Sequence, residues 1–254
     1  MLNKVIGMIS WFPDDERRES RINQVQKTFI QLGELFPTIP IIIIAQNWKG
    51  ATFTINNKAT IYRYDKGLGI LGARKELRAK FLESDFDYLI MVDDDIILHY
   101  DSKELIDKYL KRIDQHPKGF ACVKRCNKSP NRRSNHPYQP YAMAELNLCT
   151  ISRYIYEREP MVEVDATKGD TYEDGVFSAL LHYKWGKYEW NIPRGLYHNQ
   201  YCNDENKAIS TWFKDFEGSK EKIMGKRYYC LLLYIHEHHD LPPEFLKFIL
   251  KTVK

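Results

Sequence analysis

Residues 85–100 read Asp-Phe-Asp-Tyr-Leu-Ile-Met-Val-Asp-Asp-Asp-Ile-Ile-Leu-His-Tyr. The apolar run Tyr88 to Val92 leads straight into three carboxylates, Asp93, Asp94 and Asp95, and a second apolar run, Ile96 to Leu98, follows at once. Apolar residues on both sides place the acids at the end of a core strand. Adjacent carboxylates repel one another by roughly 1 kcal/mol per pair in water, and by more where solvent is scarce. A cation is therefore expected beside them. Oxygen-rich sites of this kind suit the hard ions Mg²⁺ and Mn²⁺. The competing reading is a strand end with a solvated acidic turn.

The chain before this stretch alternates strand and helix. Val5 to Ser10 reads as a buried strand, broken by Pro13-Asp14-Asp15. Ile22, Val25, Phe29, Leu32 and Phe36 recur at the helical period, and Pro37 and Pro40 close that helix. Ile41 to Ala45 opens with four consecutive isoleucines, whose β-branching favours strand. Thr60 to Tyr64 is a third strand, and a helix is expected from Ala73 to about Glu83. Beyond the acids, Asp101 and Glu104 form a capping box for a helix reaching about Gln115, and Phe120 to Val123 is another strand. Tyr141 to Ser152 returns to the sheet. The pattern predicts an α/β fold, a mostly parallel sheet sandwiched by helices. In such sheets ligands bind at the carboxyl ends of the strands, where Asp93 to Asp95 fall.

The chain has 254 residues, enough for one sizeable α/β domain with an appendage. We expect a catalytic domain over 1–200, with residues 201–254 as a C-terminal helical extension packed on it. A net charge of +4 suits an acidic ligand such as a nucleotide without arguing for nucleic acid. The cysteines are odd in number and irregularly spaced, which argues against a zinc site and for reduced thiols in a cytoplasmic protein. The first residues are too short an apolar stretch for a signal peptide. No apolar run approaches the about 18 residues that cross a bilayer.

Several further motifs carry chemistry. Gly67-Leu68-Gly69-Ile70-Leu71-Gly72 follows a strand and opens a helix. Such a turn lets backbone N–H groups approach a phosphate. Arg74 adds a fork for phosphate oxygens. The same turn is also a dinucleotide fingerprint, with Asp93 following at about the spacing of a ribose-binding acid. Residues 124–140 are polar and proline-punctuated and hold Arg132 and Arg133. This basic loop is a candidate acceptor lid. Glu173-Asp174 stands near a predicted helix start at Thr171, and Asp174 is either a cap or a general base. His198 closes the short strand Leu196 to His198. Lys187 to Ile192 reads as another short strand. Near the end, Phe245, Phe248, Lys247, Lys251 and Lys254 either dock on the domain or rest on a membrane surface, and docking is the expectation.

Taken in order, the early strand and helix, the glycine turn with Ala73-Arg74, the strand into Asp93-Asp94-Asp95, then Glu173-Asp174 and His198 resemble the glycosyltransferase A fold, more narrowly the family-2 inverting glycosyltransferases. The resemblance covers roughly residues 4 to 200. It implies a nucleotide-sugar donor, UDP-linked, and a Mn²⁺ or Mg²⁺ ion. It implies Asp95 and His198 as metal ligands, and Asp93 and Asp94 on the donor. It also implies Asp174 as base and Arg74 on the diphosphate, with Gly67 and Gly69 beside it. Ser10 and Trp11 are candidates for the nucleotide pocket, and Glu173, Arg132 and Arg133 lie on the acceptor side. Lys75 stands where the family has Asn, and Gln46-Asn47-Trp48 replaces the family's acidic turn. The acceptor is open among a glycan, a protein, a lipid-linked sugar and a nucleic acid. Three alternatives remain at this level: a nucleotidyltransferase acting on a sugar phosphate, a non-catalytic nucleotide-sugar binder, and an NAD(P)-binding oxidoreductase using Gly67 to Gly72.

Overall fold

The computed structural model describes residues 2–98, 103–123, 148–158, 189–190 and 196–198. Nine strands and four helices fall in these ranges, in the order β1(Lys4–Trp11), α1(Arg18–Leu35), β2(Ile41–Gln46), β3(Ala59–Tyr64), α2(Gly69–Leu82), β4(Tyr88–Asp93), β5(Ile96–Leu98), α3(Lys103–Asp114), β6(Phe120–Val123), β7(Leu148–Ser152), α4(Arg153–Tyr156), β8(Glu189–Trp190) and β9(Leu196–His198). Asp101, the helix predicted from Thr171 and all of 201–254 lie outside the described residues.

Seven strands form one sheet in the order β3-β2-β1-β4-β7-β6-β8. The neighbours from β3 to β4 run parallel. β7 runs antiparallel to both β4 and β6, and β8 is again parallel to β6. β1 is flanked by β2 on one side and β4 on the other, so the winding reverses there. The parallel strands all end on one rim, at Trp11, Gln46, Tyr64 and Asp93. The antiparallel β7 starts at that rim, with Leu148 opposite Val92.

The alternation of strand side chains builds two cores. On one face Ile6, Met8, Ile41, Ile43, Tyr88, Ile90 and Val92 pack with Val25, Phe29 and Leu32 of α1 and Ile106, Tyr109 and Ile113 of α3. On the other, Val5, Ile42, Ile44, Leu89 and Met91 pack with Ala73, Leu77 and Phe81 of α2 and Ile155 and Tyr156 of α4. The α1 stripe and the isoleucine strand match the periodic reading. α2 does not. It begins at Gly69, not Ala73, so two of the three glycines are helical. Gly69 takes φ +69°, a conformation open to glycine, at the helix entrance.

Arg153 fixes the corner between α2 and β4. Its guanidinium donates to the carbonyls of Phe81, Leu82, Ser84 and Phe86. Among the described residues no helix is long and apolar enough to cross a membrane.

Candidate functional site

The acids close β4 at the rim. Strand alternation sends Asp93 toward the α2 face and Asp94 toward the α1 face, and a different arginine meets each. Arg74, on the first turns of α2 and only 9% exposed, brings Nη2 to 4.0 Å from Asp93 Oδ1. Arg21, on the first turns of α1, donates from Nη2 to Asp94 Oδ1, and its Nη1 lies 3.7 Å from Asp95 Oδ2. The Thr28 hydroxyl donates to the Asp94 main-chain carbonyl at 3.1 Å.

Asp94 is the acid turned inward, at 4% exposure. Burial holds its carboxyl above the ordinary carboxylate range. Arg21 and a hydrogen bond from Ser10 pull it down, and Asp95 and Asp93 push it further up. For Arg21, burial alone would lower the guanidinium, but Asp94, Asp95 and Asp93 together raise it. Two of the expected donor-binding residues, Ser10 and Asp94, therefore serve the inside of the protein. Ser10 is buried, and its oxygen also accepts from Trp48 Nε1 at 3.2 Å. Both are buried and support the turn from behind.

Asp93, Asp95 and Trp11 remain toward the rim. Trp11 is 37% exposed and follows Ser10 on the opposite face of β1. Its indole lies against the glycine turn, where a Cβ on Gly67 would stand 3.6 Å from Trp11 Nε1. The turn itself is anchored from the sheet. Leu68 N–H donates to Gln46 Oε1 at 2.6 Å, so one backbone donor expected to face a phosphate is already engaged. Gln46, Asn47 and Trp48, the segment that departs from the family pattern, are buried. Asn47 bridges to the Phe12 carbonyl and to Asp14. Arg18 closes this side by donating to the carbonyls of Pro13, Asn47 and Lys49.

β9 pairs antiparallel with β5, which sets His198 opposite Ile96, the residue after Asp95. Asp174, Glu173, Arg132 and Arg133 lie outside the described residues. Among the described residues, no three His, Cys, Asp or Glu side chains come together as a ready-made metal cage. What the rim offers is two carboxylates with hard oxygens, Asp93 and Asp95. Magnesium-type ions take one or two protein carboxylates and complete their shell with substrate phosphates. Asp93 and Asp95 are the rim residues that could hold such an ion.

Arg21 is absent from the sequence reading of the site, and Gln46 entered it only as part of the segment that replaces the family's acidic turn. Arg21 had a signal: it stands four residues before Val25 and seven before Thr28, in line with the buried stripe of α1. The dinucleotide reading fails on position. The glycine turn follows β3, the outermost strand, while the winding reverses between β1 and β4, where a dinucleotide would lie.

The sheet, parallel from β3 to β4 and continued through the antiparallel β7, has the fold of the nucleotide-diphospho-sugar transferases. Solved structures bear this out. Staphylococcus aureus TarS, residues 1–349, matches with a TM-score of 0.63 at 8% identity, over 99% of this chain and 70% of that one. The same TarS fragment in complex with UDP-GlcNAc matches at 0.57 and 12% identity, over 98% of this chain and 71% of that one. A Bacillus anthracis protein described as a glucose-1-phosphate thymidylyltransferase matches at 0.52 and 10% identity, over 85% of this chain and 98% of that one. At these identities the likeness is one of fold. No protein-family model and no curated protein matches the sequence.

Proposed function

We propose that the chain is a metal-dependent inverting glycosyltransferase that moves a sugar from a nucleotide-diphosphate sugar, UDP-linked, to an acceptor hydroxyl. The observation that carries this reading is the placement of Asp93 and Asp95. They close β4 at the point where the winding reverses, on the rim where open α/β sheets take their ligands, with Arg74 alongside. The fold shared with TarS in its UDP-GlcNAc complex supports a donor of the same class.

Each residue then has a task. Trp11 offers an exposed ring face at the end of β1 for the nucleobase. Arg74 turns from Asp93 to the diphosphate when a donor enters. Asp95, with Asp93 and His198, would hold Mg²⁺ or Mn²⁺. Such an ion, when bound, offsets the charge that develops on the leaving diphosphate. Asp174 takes the proton from the acceptor hydroxyl as it attacks the anomeric carbon on the face opposite the departing nucleotide, which inverts that centre. Glu173, Arg132 and Arg133 belong to the acceptor side, with 124–140 as lid. Removing that segment is expected to abolish acceptor turnover, and unchanged turnover would refute the lid.

The test is a panel of nucleotide sugars with Mn²⁺, read by binding and by release of nucleoside diphosphate. A UDP-sugar is expected to bind, and Asp95→Asn to weaken binding about 10- to 100-fold. If no donor binds and Asp95→Asn changes nothing, the reading fails. The likeness to a thymidylyltransferase favours a second reading, nucleotidyl transfer to a sugar phosphate. That reaction releases pyrophosphate from a nucleoside triphosphate, so the product separates the two.

A further inference from the structure

α1 meets the acidic turn at several points. Arg21 Nη2 donates to Asp94 Oδ1, and Nη1 lies 3.7 Å from Asp95 Oδ2. Gln24 Oε1 accepts from the same Nη1 at 3.2 Å and steadies the fork from behind. Further along the helix, Thr28 holds the main-chain carbonyl of Asp94. An apolar side chain at position 21 would simply have continued the stripe of Val25, Phe29 and Leu32. A buried ion pair is a poor source of stability, because the desolvation of both charges consumes most of their attraction. What the pair does provide is orientation. One guanidinium engages Asp94 and also attracts its neighbour Asp95, and this limits where the Asp95 carboxylate can point.

We propose that Arg21 is a positioning residue for the ion that accompanies the nucleotide diphosphate. It acts through Asp94 and Asp95, keeping the first inward and holding the second at a fixed setting beside Asp93. The proposal rests on the reading of the acidic turn given above. Arg21 itself touches no donor. Its loss therefore bears on the ion-dependent part of binding and leaves the part made by Trp11 and the glycine turn.

The test is calorimetric titration of the full chain with UDP, in the presence and absence of Mn²⁺. The wild-type chain is expected to bind UDP more tightly with Mn²⁺. Arg21→Gln is expected to bind UDP alone as the wild type does, and to lose about 10- to 100-fold of the affinity gained from Mn²⁺. Arg21→Lys, which restores the charge, is expected to recover most of that gain. A structural role alone would lower both kinds of binding together. Should Arg21→Gln fail to fold, Asp94→Asn decides. It leaves no buried carboxylate unpaired, and it frees Arg21 to pair fully with Asp95, so the gain from Mn²⁺ should again fall. A wild-type gain that survives in folded Arg21→Gln or in Asp94→Asn overturns the role of Arg21 alone. Wild-type binding of UDP that is indifferent to Mn²⁺ overturns the reading of the acidic turn, and the role of Arg21 with it.

Discussion

The side-chain oxygen of Gln46, at the end of β2, accepts the backbone N–H of Leu68 at 2.6 Å. This bond ties the sheet to the entrance of α2 across the rim. It seats Gly67 against the Trp11 indole, and so fixes the distance between the ring proposed to receive the base and the turn proposed to receive the phosphates.

Gln46→Leu removes that acceptor from a partly buried N–H. It is expected to cost about 1 kcal/mol of stability, the usual net value of one hydrogen bond. UDP affinity is expected to fall by more than the stability change explains, because Trp11 and the turn lose their common reference. Urea denaturation and UDP titration of the same variant check both halves.

Gly7 sits in β1 against Leu77 of α2 and Leu89 of β4. A Cβ there would stand 2.5 Å from Leu89 Cδ1 and 2.9 Å from Leu77 Cδ2. Both leucines are buried and have little room to yield. Gly7→Ala is expected to destabilise the fold by about 1–3 kcal/mol through overpacking. A lowered urea midpoint with an unchanged slope is the expected result.

Tyr88 gives a pH signature. Burial pushes its phenol up to about 12, with Asp114 and Asp87 adding to the rise and a hydrogen bond from Gly119 opposing it. Its hydroxyl donates to the His116 carbonyl. The folded value lies above the unfolded value of about 10. The neutral phenol therefore contributes its full stability below about pH 10 and loses it as pH rises through about 12. Urea midpoints measured from pH 8 to 12 should fall steeply in the last two units for the wild type. Tyr88→Phe should start lower and fall less steeply.

Asp174→Asn tests the base independently of the donor. Transfer to any acceptor is expected to be lost, while UDP-sugar binding with Mn²⁺ stays near the wild-type value. Lost binding would instead make Asp174 a donor or metal residue.

The sequence made the sheet legible where one physical cause dominated. Ile41 to Ile44 could only be a buried strand, and Val25, Phe29 and Leu32 could only be one face of a helix. Asp93 to Asp95 announced themselves because a charge cluster inside an apolar segment needs an explanation. Arg21 was hidden by its setting. Just after Arg17, Arg18 and Glu19 it looks like one more solvated charge, and only its alignment with Val25 and Thr28 says otherwise. Gly69 and Gly72 misled in the opposite sense. Their low helix propensity reads as loop, yet glycine costs less at a helix entrance, where backbone N–H groups lack partners anyway. The direction of β7 was not legible, since a strand five residues long carries no mark of the way it runs.

That reversed strand has a consequence for how such a chain can diversify. β6 leaves the sheet at Val123, and β7 re-enters at Leu148, with Cys122 and Cys149 backbone partners in the register just inside. Both attachment points thus stand side by side on the edge that carries Asp93. For any segment that joins two such fixed points, doubling the length adds only about 0.6 kcal/mol to the entropy of closing it. Residues 124–147 could therefore be exchanged or lengthened without disturbing the sheet. If they govern the acceptor, selectivity in this scaffold can change by graft while the donor machinery stays as it is.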